Sequence, residues 1–287
     1  MNFRKIGISA PPYTPRSAGI SVLHFLTSEL RAYGFDAYII PFPPSLPFSL
    51  NSKLDTPLCL DAATGGVEEL QNEWVVLYPE VVPGNPLAAR HVVRYLLNFE
   101  GAFGGPGMQA APTDTLITYS RLFHPTAPVL CYPVFDPDLL VRARHVSSAV
   151  KRERKAFYIG KGALDGPCPE IPGAVQITRG WPNSKTELHD LLQSVDVFYT
   201  YDWLTSLCLD AALLGCEVRF LGGGKRYDSE ALFRSDLEFT GFYERCEENG
   251  LPFIPRNSSK AILDKVLNFK VNFPIRMVAF FSEIAKL

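Results

Sequence analysis

The chain has no cysteine pair at metal or redox spacing, no long apolar run and no excess of either charge. Its 287 residues carry 28 basic and 30 acidic side chains, for a formal net charge of −2 and a pI near 6.2. That balance excludes a protein that grips nucleic acid by bulk electrostatics, so no nucleic-acid partner is expected. No apolar run approaches the roughly 18–20 residues of a membrane helix. The first residues lack the apolar core of a signal peptide, which leads us to expect a cytoplasmic protein. The six cysteines are scattered without a CxxC pair. Several lie in apolar segments, where a free thiol behaves as a small hydrophobe. Familiar cofactor and hydrolase patterns are missing too: there is no GxGxxG after a strand, no Walker loop, no GxSxG elbow and no HExxH. Gly222–Lys225 is only a flexible turn after a strand, because the earlier glycine of a phosphate loop is replaced by Arg219.

What is present is the alternation of strand and helix. Hydrophobic residues are 47% of the chain, enough to bury two cores. Lys5–Ala10, Ala37–Ile40 and Trp74–Tyr78 read as strands, with an amphipathic helix over Ile20–Tyr33 ended by Gly34. Four prolines over 41–56 make that stretch a loop. Asn85-Pro86 predicts a helix start, continuing to Phe99. Thr115–Tyr119 and Val129–Val134 are expected strands. The charged stretch Val141–Arg154 marks a boundary, giving domains 1–145 and 146–287. The second half restarts with strand Ala156–Ile159, ending in Gly160-Lys161-Gly162. Gln176–Thr178, Val195–Tyr201 and Glu217–Leu221 are further strands. Ser184 with Glu187 makes a capping box for helix Lys185–Gln193, and Ser206–Leu214 is a helix closed by Gly215. An amphipathic pattern covers Ile275–Ile284. The fold class is α/β: two Rossmann-like domains facing across a cleft, with ligands beyond the carboxyl ends of the strands.

The most informative segment runs from Tyr201 to Val218. A strand delivers the chain to Asp202, a helix begins at Thr205-Ser206-Leu207, and Asp210 follows Asp202 after seven intervening residues. Hydroxyls and unpaired N–H groups at a helix start form an anion site. Read singly, Thr205 and Ser206 are caps, Asp202 a dipole partner and Asp210 a solvated helix residue. Together with Ala211, Gly215 and Val218 they resemble the retaining branch of the GT-B glycosyltransferases, nucleotide-sugar-dependent enzymes of the kind that build polysaccharide and O-antigen. That branch usually has Glu at both acidic positions and Pro where this chain has Glu217.

The resemblance implies roles residue by residue. Asp202 lies by the donor sugar as a catalytic residue, Thr205, Ser206 and Leu207 lie by the pyrophosphate, and Asp210 on the ribose hydroxyls. Lys161, between Gly160 and Gly162, offers a point charge to the diphosphate, and it also reads as a solvated turn lysine. Gly19 lies in the loop after the first strand that faces the donor phosphates. Arg179 reaches the nucleotide or is a surface arginine. Glu80, ending a strand of the N-terminal, acceptor-side domain, is a catalytic base or an acceptor ligand. His24 and His91, both on expected helices, read as packing or surface residues. Asp136 and Asp138 spell DxD, and their place at a domain exit favours a turn over a metal site.

The implied activity is transfer of a sugar from a nucleoside-diphosphate sugar to a glycan, lipid-linked glycan or other surface-polysaccharide acceptor, peripheral at the membrane. It is metal-independent and retaining, with no cofactor beyond the donor substrate. A non-catalytic nucleotide-sugar-binding protein and a nucleotide-sugar epimerase of GT-B fold are the alternatives. The C-terminal helix is expected to cross back to the first domain.

Overall fold

The computed structural model describes residues 5–44, 47–60, 74–102, 104–132, 134–147, 151–222 and 242–284. The chain divides into two compact units. Met1–Val134 with Phe269–Leu287 form the first, and Phe135–Asn268 form the second. Both junctions differ from the expected 1–145 and 146–287: residues 135–145 join the second unit, and the last nineteen residues return to the first.

The first unit holds strand β1 (Lys5–Ala10), helix α1 (Ala18–Ala32) and strands β2 (Ala37–Pro41), β3 (Trp74–Pro79), β4 (His91–Leu96) and β5 (Thr115–Thr118). They make one parallel sheet in the order β2-β1-β3-β4-β5. Alternate residues serve two cores. Ile6, Ile8, Val75, Leu77, Val93 and Tyr95 pack on the α1 side, while Trp74, Val76, Tyr78 and Val92 pack on the other. A sheet covered on both faces explains why β3 reads as an unbroken apolar run.

Two expectations fail here. The helix from Asn85 to Phe99 is instead a turn followed by β4. The Asn85 side chain accepts from Ala89 N (3.0 Å) and donates to Ala89 O (2.7 Å), closing the turn, with Ala88 in the left-handed region at φ 51°. His91-Val-Val-Arg-Tyr-Leu then has the β-branched and aromatic content of a central strand. In Val129–Val134, of which residue 133 lies outside the described residues, the pairing among the described residues is an isolated parallel bridge, Thr118 to Val129, and Pro128 before it has no N–H to extend the ladder.

The second unit opens with helix α2 (Pro137–Arg144), whose last four residues fall in the charged stretch read as a boundary. Asp136 caps it by accepting Asp138 N at 2.9 Å, and Leu139, Leu140 and Ala143 supply a narrow buried face. Strand β6 (Arg154–Tyr158), a 3₁₀ turn (Gly160–Leu164), strand β7 (Ala174–Ile177), helix α3 (Lys185–Ser194), strand β8 (Val195–Thr200), helix α4 (Leu207–Leu213) and strand β9 (Glu217–Phe220) follow. Strands β10 (Glu244–Arg245) and β11 (Pro252–Ile254) add an antiparallel edge, giving the order β10-β11-β9-β8-β6-β7.

Ser184 accepts Glu187 N at 3.1 Å, while the Glu187 carboxylate reaches back to Asn183 N at 3.0 Å, one residue earlier than a capping box requires. Helix α5 (Ser259–Ile284) is far longer than the Ile275–Ile284 pattern suggested. Its Phe273, Met277, Phe281 and Ile284 belong to the core of the first unit, which is why the C-terminus is counted there. Among the described residues no helix is long and apolar enough to cross a membrane.

Candidate functional site

In the second sheet β6 is flanked by β7 and β8, so the chain leaves β6 to one side and later returns to the other. A crevice beyond the carboxyl ends of β6 and β8 is the default ligand position in such a sheet. Gly160-Lys161-Gly162 and Tyr201-Asp202 meet there. Gly160 has φ +51°, and a Cβ on it would lie 2.5 Å from Asp202 Oδ2. A Cβ on Gly162 would lie 2.5 Å from the Tyr201 carbonyl oxygen. Gly160 is therefore demanded by its left-handed backbone and the Asp202 side chain, and Gly162 by the close approach of the Tyr201 backbone.

That approach lets the Asp202 carboxylate accept Lys161 N at 3.0 Å and Leu204 N at 3.2 Å, with Lys161 Nζ 3.7 Å away. Thr200 Oγ1 bonds both the N–H and the C=O of Asp202. The Asp202 side chain is 4% exposed and that of Lys161 18%, so the ammonium is the more accessible member.

At the anion site expected over Thr205-Ser206-Leu207, most backbone N–H groups are engaged within the segment. Helix α4 has only seven residues, and Ser206 makes no side-chain cap bond. The N–H groups of Thr205, Leu207, Cys208, Leu209 and Asp210 are already bonded within the segment, to Asp202 O, Thr205 Oγ1, Thr205 O, Ser206 O and Ser206 O. A continuous series of turns from Asp202 occupies donors that a bare helix start would leave open.

Asp210 is buried on α4, and Lys185, the first residue of α3, places Nζ 3.6 Å from its Oδ2. Burial pushes the Asp210 carboxyl above its usual range, with Lys185 and then His189 pulling against it. Cys208, on the same helix, is wholly buried. Its thiol is pushed well up by burial and by the nearby Asp202 and Asp210 charges, so it is inert as a nucleophile. His189 is also buried, with Nδ1 3.4 Å from Asp138 Oδ2. Arg142 binds Asp138 (2.6 Å), Asp190 (2.5 Å) and Gln193 (2.7 Å), tying α2 to α3. Its hydrogen bond holds the Asp138 carboxyl below the usual range. Asp136 and Asp138 thus serve as cap and ion-pair partner. Among the described residues no cluster of three or more His, Cys, Asp or Glu could hold a metal ion.

At the carboxyl edge of the first sheet, Glu80 follows β3 and is buried, its Oε2 accepting Leu97 N at 2.9 Å. A Cβ on Gly19 would meet Leu97 at an ordinary 3.6 Å, so nothing in the fold demands glycine there. Gly19 and Glu80 therefore converge on Leu97. His91 begins a strand rather than lying on a helix, and His24 is buried on α1. Arg179 is exposed in the turn after β7, without an ion pair to Asp202 or Asp210 among the described residues. Gly222 has φ +79°, and the rest of the Gly222–Lys225 turn lies outside the described residues. Sequence reading missed Lys185 and His189. They are four apart just after the Ser184 cap, hence on one face of α3, and that spacing was the available signal.

No family model matches the chain, and no curated protein matches it. Among the solved structures it is similar to are glycosyltransferases. An alpha-glucosyltransferase in complex with UDP and a 13-mer DNA containing an HMU base is 8% identical, covering 99% of this chain and 95% of that chain with a TM-score of 0.43. Spinosyn forosaminyltransferase is 14% identical with the same coverage and a TM-score of 0.44. The alpha-glucosyltransferase in complex with UDP alone is 8% identical, covering 99% of this chain and 95% of that chain, with a TM-score of 0.38.

Proposed function

We propose that the protein is a glycosyltransferase that moves a sugar from a nucleoside-diphosphate sugar to a glycan acceptor. The observation that carries this reading is the carboxyl edge of the second sheet. There, two recessed carboxylates with seven residues between them, Asp202 and Asp210, each hold a more exposed lysine, Lys161 and Lys185. Transfer breaks the bond from the sugar's anomeric carbon to the diphosphate and makes one to an acceptor oxygen, leaving negative charge on the diphosphate. Fixed cations near that developing charge stabilise the transition state. With lysines in that role the reaction is metal-independent, and Asp136 and Asp138 stay engaged in capping and ion pairing. The acidic spacing favours retention. The acceptor, a glycan or lipid-linked glycan handled at the cytoplasmic membrane surface, is assigned to the first unit, where Glu80 and Gly19 share one sheet edge.

One observation favours a second reading, a nucleotide-sugar-binding protein without turnover. Asp202 and Glu80, the two carboxylates assigned to catalysis, are both buried and both accept backbone N–H donors. A panel of radiolabelled donors in the presence of chelator separates the two. Donor hydrolysis, or transfer to glycan primers, is the outcome expected of the transferase. Tight binding without turnover selects the binding protein, and transfer to duplex DNA instead of glycan would replace the acceptor. Absence of nucleoside-diphosphate binding at millimolar ligand would reject both readings.

A further inference from the structure

The Lys185–Asp210 pair has an inside and an outside. The Asp210 side chain is 7% exposed and that of Lys185 is 41% exposed. Asp210 projects from α4, a helix whose other residues are almost all buried, and its short side chain cannot carry the carboxylate outward. The groups that face it are Lys185 and His189 from α3 and Asp136 at the cap of α2. His189 is itself buried, with its Nδ1 on Asp138, and Asp136 is bonded to Asp138 N, so of these groups only Lys185 combines positive charge with access to solvent. Lys185 is also anchored at its base, in the first turn of α3 just after the Ser184 cap.

We propose that Lys185, rather than Asp210, is the group this site presents to its ligand, where it binds a phosphate oxygen of the nucleoside diphosphate, and that Asp210 is a positioning residue acting through it. The proposal rests on the donor site described under Proposed function and reverses the role that the resemblance gave Asp210: a cation meets the ligand where a carboxylate on the ribose was expected. The logic is chemical. An ammonium on a four-carbon stem samples many positions, and a buried carboxylate 3.6 Å away narrows them to one. A phosphate arriving at that position gains a charge-assisted bond, and the ammonium need not leave Asp210 to make it, because it has three donors.

Calorimetry on the full chain tests this. UDP, GDP, ADP, CDP and TDP are screened, and the tightest binder is compared with its parent nucleoside. Lys185→Met should weaken the diphosphate about ten- to hundredfold and leave the nucleoside unchanged. Lys185→Arg should restore most of the loss. Asp210→Asn should weaken the diphosphate no further than Lys185→Met does, and should add nothing in the Lys185→Met background, the signature of two residues acting as one unit. Thermal melts confirm that each variant is folded. Unchanged diphosphate affinity in folded Lys185→Met overturns the proposal while leaving the donor-site reading intact. The same holds if Asp210→Asn weakens the nucleoside and adds its full effect to Lys185→Met, since Asp210 would then touch the ribose itself. A wild-type protein that binds none of the five diphosphates overturns the donor-site reading, and the proposal with it.

Discussion

Each unit buries carboxylates against cations, but the two do so in opposite ways. In the first unit, Arg94 on β4 is 1% exposed and its partner Asp114 5%, with Nε 2.7 Å from Oδ2. The other guanidinium nitrogens donate to Val82 O (3.1 Å) and Gly84 O (2.5 Å), and the group lies 5.1 Å over the Tyr78 ring. The donors of Arg94 are directed inward, onto the loop between β3 and β4. In the second unit Lys161 and Lys185 sit at 3.6–3.7 Å from their carboxylates, with side chains 18% and 41% exposed. Asp114, Asp202 and Asp210 are all buried, so burial of the acid does not separate structure from site. Exposure of the cation does.

The largest effect should come from breaking the closed pair. Arg94→Met leaves Asp114 and two carbonyls without their partner, and removing one member of a buried pair costs about 3–5 kcal/mol. Denaturant titration should register that loss, with proteolysis concentrated in the first unit. Lys185→Met, which leaves its own buried acid but removes a half-solvated cation, should cost far less. Equal losses in the two variants would erase the distinction between closed and open pairs.

Next in size is the glycine approach. Gly162→Ala brings a methyl to 2.5 Å from the Tyr201 carbonyl oxygen, and overpacking of this kind costs about 1–3 kcal/mol. Gly19→Ala, with only a 3.6 Å contact to Leu97, should leave the melting temperature close to wild type. If Gly162→Ala melts like wild type, the junction of the 3₁₀ turn with Tyr201-Asp202 is looser than its geometry, and the site built on it loses its rigidity.

The sequence revealed most where the physics is local. Parallel strands covered on both faces appear as apolar runs, so β1, β3, β8 and β9 could be placed, and the Ser184 cap sits where its helix begins. Strand β4 was hidden because Asn85-Pro86 suits a helix start as well as a turn, and only the bonds to Ala89 decide between them. The antiparallel edge of β10 and β11, two and three residues long, is too short for any periodicity. At the site, Gly160, Lys161, Asp202 and Asp210 were legible because a strand, a turn and a helix carry them in series. Lys185 was not, since its meeting with Asp210 depends on how α3 packs beside α4. Nor was the engagement of the Thr205, Leu207 and Cys208 N–H groups, which follows from hydrogen bonds inside the turn rather than from residue types.

The smallest predicted effect is a pH response of opposite sign in the two units. His24 in the first unit is fully buried, its Nε2 3.0 Å from Pro11 O and its ring packed between Tyr13 and Phe48. Burial lowers its pKa from 6.5, outweighing the Pro11 carbonyl. The unfolded chain then binds more protons than the folded one, so this contribution is complete above 6.5 and is lost as the pH falls below it. Asp210 in the second unit is raised from 3.8 by burial, so its folded form binds more protons. Its contribution is complete below 3.8 and is lost as the pH rises through the folded value. Acidification below 6.5 should therefore loosen β1 and α1, while the contacts of α3 with α4 hold or tighten. Exchange protection of peptides from the two regions, corrected for intrinsic rate, should diverge by at most about 1.4 kcal/mol per pH unit for each group. His24→Gln keeps a donor for Pro11 and should flatten the slope in the first unit alone. Asp210→Asn should flatten the opposite slope in the second. If both regions loosen together on acidification and neither variant changes that, the two buried groups do not set the pH response, and the contrast between the units does not extend to proton binding.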